Sequence, residues 1–173
     1  MSNGTKVKKR DGRIEPLDLD KMHLMVEEAC QGLAGVSASQ VEMKSGIQFY
    51  DGITTAEIQE ILIRAASDLI DLDHPNYQFV AARLLLFALR KQLYGKMREL
   101  PTLEQHIYVC VNQEVYDKEI FDKYSLEEIQ KADSYLDHNR DMLFTYAGLR
   151  QVVDKYLVQD RSSGGVYETP QFM

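Results

Sequence analysis

The stretch Val7-Lys8-Lys9-Arg10-Asp11-Gly12-Arg13-Ile14-Glu15-Pro16-Leu17-Asp18-Leu19-Asp20-Lys21 decides how this chain starts to fold. Asp11-Gly12 between short mixed runs predicts a two-residue hairpin turn with both central residues at positive φ. Thr5 to Arg10 and Arg13 to Leu17 are then its strands. Lys9 and Arg10 sit beside the turn, and Lys21 follows at the opening of a helix. This basic hairpin stands on a body of net charge −7. A single charge pair near a protein surface gives only about 4 kcal/mol at 4 Å before desolvation, so an anion site needs several cations on one spot. Three or four lie here within sixteen residues. The plainer alternative is an edge strand decorated with lysines that discourage strand pairing.

Outward from the hairpin, apolar positions fall at helical spacing. Met22, Met25, Val26, Ala29, Cys30 and Leu33 form a first stripe that opens near Asp20 and stops at Gly35. Ser37 with Gln40 opens a second helix carrying Val41 and Ile47, which Asp51-Gly52 ends. Thr54 with Glu57 opens a third along Ile58, Ile61, Leu62, Ala65, Ala66 and Leu69. Pro75 suits the first turn of a fourth, with Tyr77, Val80, Ala81, Leu84, Phe87 and Ala88 on one face and an end at Tyr94-Gly95. Four amphipathic helices on short loops must pack together to hide their stripes. Residues 1–95 thus read as a helical bundle capped by a small β-hairpin.

Residues 96–173 read differently. Thr102 with Gln105 and Ser125 with Glu128 start further helices, and Asp141 to Lys155 reads as another. A hairpin of Tyr156-Leu157-Val158 with Val166-Tyr167 and a Thr169-Pro170 helix start close the chain. The expectation is a mainly α protein whose second part is the helical start of a larger α/β domain, cut short.

Composition narrows the function. At 173 residues, 45% hydrophobic and 27% charged, the chain has the make-up of a soluble globular protein. The acidic balance argues against a general nucleic-acid coat. No apolar run spans a bilayer and no secretory leader is visible, which makes the cytoplasm the default compartment. Cys30 and Cys110, eighty residues apart, form no metal or redox motif and read as inert thiols. His23, His74, His106 and His138 show no metal-ligand spacing.

Taken together, Val7-Lys8-Lys9-Arg10-Asp11-Gly12, Glu15, Leu19-Asp20-Lys21, Thr55 and Arg90-Lys91 resemble the ATP-cone, a regulatory nucleotide-binding module. Gln48-Phe49-Tyr50-Asp51-Gly52-Ile53, Asp137-His138-Asn139-Arg140-Asp141 and Lys155-Tyr156-Leu157-Val158-Gln159 extend the resemblance to the amino-terminal part of large subunits of aerobic class I ribonucleotide reductases. The resemblance implies an allosteric site for ATP or dATP, with Mg2+, on Val7, Lys9, Arg10, Glu15, Pro16, Leu17, Asp18, Leu19, Asp20, Lys21, Thr55 and Lys91. Lys9, Arg10, Lys21 and Lys91 would face the triphosphate, and Glu15 to Asp18 the base or sugar. Thr55 either bonds ligand or caps its helix, and Lys91 either joins the site or complements a helix end. Two positions depart from close relatives, Asp18 for Asn and Gln59 for His. The implied partners are the remainder of the large subunit, in an oligomer, and a radical-generating small subunit. The cysteine-radical chemistry of the family lies in a barrel that these residues do not include, so no catalytic or metal-binding residue is expected. The alternative is a free-standing nucleotide-sensing regulator built on the same cone, whose known examples add a zinc ribbon for which CxxC pairs are absent.

Overall fold

A computed structural model describes residues 5–46, 48–160 and 162–173. The first turn differs from the expected one. Gly12 N donates to Lys9 O at 3.0 Å and Lys9 N to Arg13 O at 2.8 Å, so the loop holds three residues, Arg10, Asp11 and Gly12. Gly12 alone takes positive φ, at 86°. A residue with a Cβ resists the left-handed region, so Asp11 stays out of it and the single glycine absorbs the reversal. The strands are correspondingly short: β1 at Lys6–Lys8 and β2 at Ile14–Pro16, antiparallel, with Val7 opposite Glu15.

The expected second helix ends at Gly46, before Asp51-Gly52, and that pair serves the sheet instead. Asp51 Oδ1 accepts from Lys6 N and Gly52 N donates to Lys6 O, both at 2.8 Å. This docks β3, Ile53–Thr54, parallel to β1 in a sheet of order β2-β1-β3. Val7 is therefore a central-strand residue with its side chain 2% exposed.

The four expected helices are α1 at Leu19–Cys30, α2 at Ala38–Gly46, α3 at Thr55–Ser67 and α4 at Tyr77–Tyr94. Helix α1 ends at Cys30, before the expected Gly35: Gly32 turns left-handed, and Arg83 of α4 takes up the carbonyls of Ala29 and Gln31. Those carbonyls are among the orphans every helix end leaves. Helix α2 packs on α1 and α3; Ile47 lies outside the described residues. At its start, the Tyr77 hydroxyl accepts from Ser37 N and donates to Gln40 Oε1 at 2.6 Å, which engages the residue expected to close a capping box. The core holds Val26, Val41, Ile53, Leu62 and Val80. Helix α4 begins two residues after Pro75. It is buried on more than the predicted face, since Ala82, Leu85, Leu86 and Leu89 are also enclosed.

The later helices are α5 at Leu103–Asn112, α6 at Glu119–Lys123, α7 at Leu126–Asp133 and α8 at Tyr146–Lys155. Thr102 with Gln105 and Ser125 with Glu128 form the expected capping boxes. The single helix expected over Asp141–Lys155 is divided. A 3-10 segment covers His138–Leu143, and Thr145 Oγ1 accepts from Gly148 N at the start of α8. The division turns Asp141 inward, where its side chain is fully buried. The closing hairpin forms over a short length: Gln159 bridges Val166, Tyr167 N donates to Val158 O at 3.0 Å and Asp160 N to Gly165 O at 2.8 Å, and Thr169-Pro170 opens only a 3-10 turn at Pro170–Phe172.

The chain forms two compact units. One runs through Ala88 and takes in Leu143–Leu149; the other comprises Leu89–Met142 and Arg150–Met173. Among the described residues, no helix is long and apolar enough to cross a membrane.

Candidate functional site

Parallel pairing builds the site. Val7 opposes Ile53 and Lys8 opposes Thr54, so Lys9, one residue further, follows the register toward Thr55. The basic loop and the amino end of α3 therefore meet. Arg10 Nη2 donates to Gln59 Oε1 at 3.4 Å across this junction. Gln59 is 8% exposed and lies in the second turn of α3.

Thr54, and not Thr55, caps α3. Its hydroxyl accepts from Glu57 N at 3.2 Å, and Glu57 Oε2 accepts from Thr54 N at 2.8 Å. The Thr54 hydroxyl and N–H, with the Tyr50 hydroxyl, hold the Glu57 carboxyl below its ordinary range. Thr55 is the first helical residue, half-buried, and its hydroxyl is not needed for the cap. The capping alternative thus passes to its neighbour.

Glu15 organises the hairpin cations. Its carboxylate receives Lys9 Nζ at 3.3 Å and Arg13 Nη1 at 3.1 Å. Arg13 N donates to Asp11 Oδ1 at 3.1 Å and Arg13 Nε to Asp11 Oδ2 at 2.7 Å, and these two bonds lower the Asp11 pKa. Lys9, Arg10, Glu15 and Thr55 thus stand at one end of the sheet.

The other residues implied by the resemblance lie elsewhere. Strand β2 is three residues long, so the start of α1 sits about 10 Å from the basic loop. There the Asp18 carboxylate caps α1 by accepting from Lys21 N at 2.9 Å. Lys21 is exposed. Pro16, Leu17, Leu19 and Asp20 line a cavity of about 800 Å3 whose other wall is built by His23, Glu42 and Phe49 among others. Sequence spacing marked neither His23 nor Glu42, because no motif distinguishes a cavity-lining helical position from any other, and Phe49, outside the helices, entered only as part of the wider resemblance. The Val7 side chain is core, which leaves only its backbone for a ligand. Lys91 is half-buried in the last turn of α4, within the second unit.

The family model for the ATP cone domain matches residues 5–92, half of the chain. The chain belongs to the ATP-cone family. The cone indicates nucleotide binding for allosteric regulation. The whole chain is also 47% identical to ribonucleoside-diphosphate reductase 1 subunit alpha of Escherichia coli K12, over 23% of that protein. The same identity and shares hold for the subunit alpha of Haemophilus influenzae, and the bacteriophage T4 subunit alpha is 44% identical over 95% of this chain and 22% of its own length. The likeness is to the amino-terminal region of these large subunits. The chain spans less than a quarter of the length of the curated relatives it matches.

Proposed function

We propose that the cone is the effector site of a ribonucleoside-diphosphate reductase large subunit, binding ATP to activate and dATP to inhibit. Lys9 and Arg10 hold the phosphates together with the amino-terminal turn of α3, where Thr55 and the helix dipole add favourable groups for an anion. Glu15 to Lys21 receive ribose and base, and the resemblance counts Lys91 with them. The observation that carries this reading is the parallel β1–β3 pairing, which directs the basic loop to a helix amino terminus.

Mg2+ would come with the triphosphate: among the described residues no group of three or more His, Cys, Asp or Glu could hold a metal ion. Residues 1–95 act as the regulatory domain and 96–173 as the leading helices of the catalytic subunit. The partners are the rest of that subunit, in an oligomer, and a radical-generating small subunit in the cytoplasm. Identity along the whole chain, past the cone, favours this over a free-standing sensor.

Calorimetry with Mg-ATP tests the site. Lys9→Ala and Lys91→Ala should each weaken binding about tenfold or more, the loss of a charge-assisted hydrogen bond of about 1.5–3 kcal/mol. Unchanged affinity in both variants would overturn the assignment. Co-purification with a barrel-containing reductase polypeptide tests the parent enzyme separately.

A further inference from the structure

His23, on the second turn of α1, faces a carboxylate from each ring nitrogen. Nδ1 lies 2.8 Å from Glu42 Oε1 on α2, and Nε2 lies 3.2 Å from Glu27 Oε1 on its own helix. A neutral imidazole carries one N–H and would present a bare lone pair to one of these oxygens. Only the imidazolium can donate to both. The bond to Glu42 joins α1 to α2, and both residues line the cavity described above.

We propose that His23 is a proton-operated clasp between α1 and α2, closed when the ring is charged and weakened when it is neutral. The charged groups set against its ring are acidic, Glu42 on α2 and Glu27 on α1, and Asp20, one turn back on α1, lines the same cavity. The Glu42 carboxylate is the main reason that the ring holds its proton above the ordinary histidine range. Deprotonation removes one positive charge from a wall whose other charged residues are Asp20 and Glu42, and leaves one carboxylate opposite a lone pair. The device is independent of the cations of the basic loop, so it stands or falls apart from the nucleotide assignment.

The direction with pH follows. A histidine whose folded-state pKa lies above its unfolded one stabilises fully below the unfolded value and loses that contribution as pH rises through the folded value. The test is an NMR titration of the full chain with labelled histidines from pH 5 to 9, His23 being assigned by His23→Gln. The ring should titrate above 6.5, the ordinary value, and Glu42→Gln should bring the midpoint down. Backbone amides of α1 and α2 should shift with the same midpoint in the parent chain and lose that transition in His23→Gln. The midpoint of urea unfolding should fall over the same range and flatten in His23→Gln. A His23 midpoint at or below 6.5, or an α1–α2 transition that persists in His23→Gln, overturns the proposal.

Discussion

Arg90 Nη2 donates to Asp141 Oδ2 at 3.2 Å in a pair whose side chains are 8% and 0% exposed. The same Nη2 donates to His138 O at 2.8 Å, and Gln171 Nε2 donates to the other oxygen of Asp141. Burial pushes the Asp141 carboxyl up and the guanidinium draws it back. Arg90, which the sequence motif sets beside Lys91, thus fastens the 3-10 segment within the second unit, to which Arg90, His138 and Asp141 all belong.

Asp141→Ala leaves that guanidinium buried against a carbonyl alone and strands the Gln171 amide. Removing one partner of a buried ion pair costs about 3–5 kcal/mol. Urea unfolding followed by circular dichroism should show a loss of that size for Asp141→Ala. A loss below about 1 kcal/mol would mean that the pair contributes nothing net.

Thr54 and Thr55 separate stability from binding. Thr54→Ala removes the hydroxyl half of the capping box, leaving the backbone N–H on Glu57 Oε2, and should cost about 1 kcal/mol. Thr55→Ala should leave the unfolding midpoint nearly unchanged and weaken ATP binding in calorimetry. Equal effects of the two variants on both readouts would show that the neighbours do not divide these roles.

Most of the helices were legible because a local device announced them: a capping box at Thr54, Thr102 and Ser125, and stripes such as Ile58 to Ala66; α6, with no side-chain cap and no buried stripe, gave no such sign. Register lay beyond the reach of the sequence. Nothing local in Ile53-Thr54 says that two residues will pair parallel to β1, yet that pairing directs Lys9 toward Thr55. Asp-Gly suits two loop geometries, and the hydrogen bonds of Lys9, accepted from Gly12 N and donated to Arg13 O, select the three-residue one. The helix expected over Asp141–Lys155 failed for a long-range reason, since Asp141 is drawn inward by an arginine 51 residues away. Gln59 could be flagged only as a departure, because its contact with Arg10 spans 49 residues.

Both thiols should be slow. Burial pushes Cys30 up to about 11, and burial with the Glu168 carboxylate raises Cys110 as well. The thiolate is the reactive form, and at pH 8 Cys30 would present on the order of one part in a thousand of it. An aromatic disulfide reagent at pH 8 should release little chromophore from the native chain and two equivalents per chain after urea. A rapid equivalent before urea would contradict this.

His106 should respond to pH in the sense opposite to His23. Its ring is stacked on Phe172 with centroids 4.3 Å apart, and its Nε2 lies 3.2 Å from the Tyr116 hydroxyl. That hydroxyl spends its proton on buried Glu168, whose other oxygen accepts from Val158 N at 2.8 Å. Tyr116 must therefore accept from His106, which assigns the neutral Nε2–H tautomer. Desolvation lowers the His106 pKa to about 4, against an ordinary 6.5. The unfolded chain gains this proton below about 6.5 while the folded chain refuses it, so the contribution of His106 to stability is whole above that pH and drains away toward pH 4. Ring nitrogen shifts should report an Nε2-protonated neutral imidazole at pH 7 with no titration above pH 5. His106→Gln should flatten the acid side of the stability profile and leave the loss at high pH, assigned to His23, in place. An imidazolium at position 106 near pH 6 would refute the assignment.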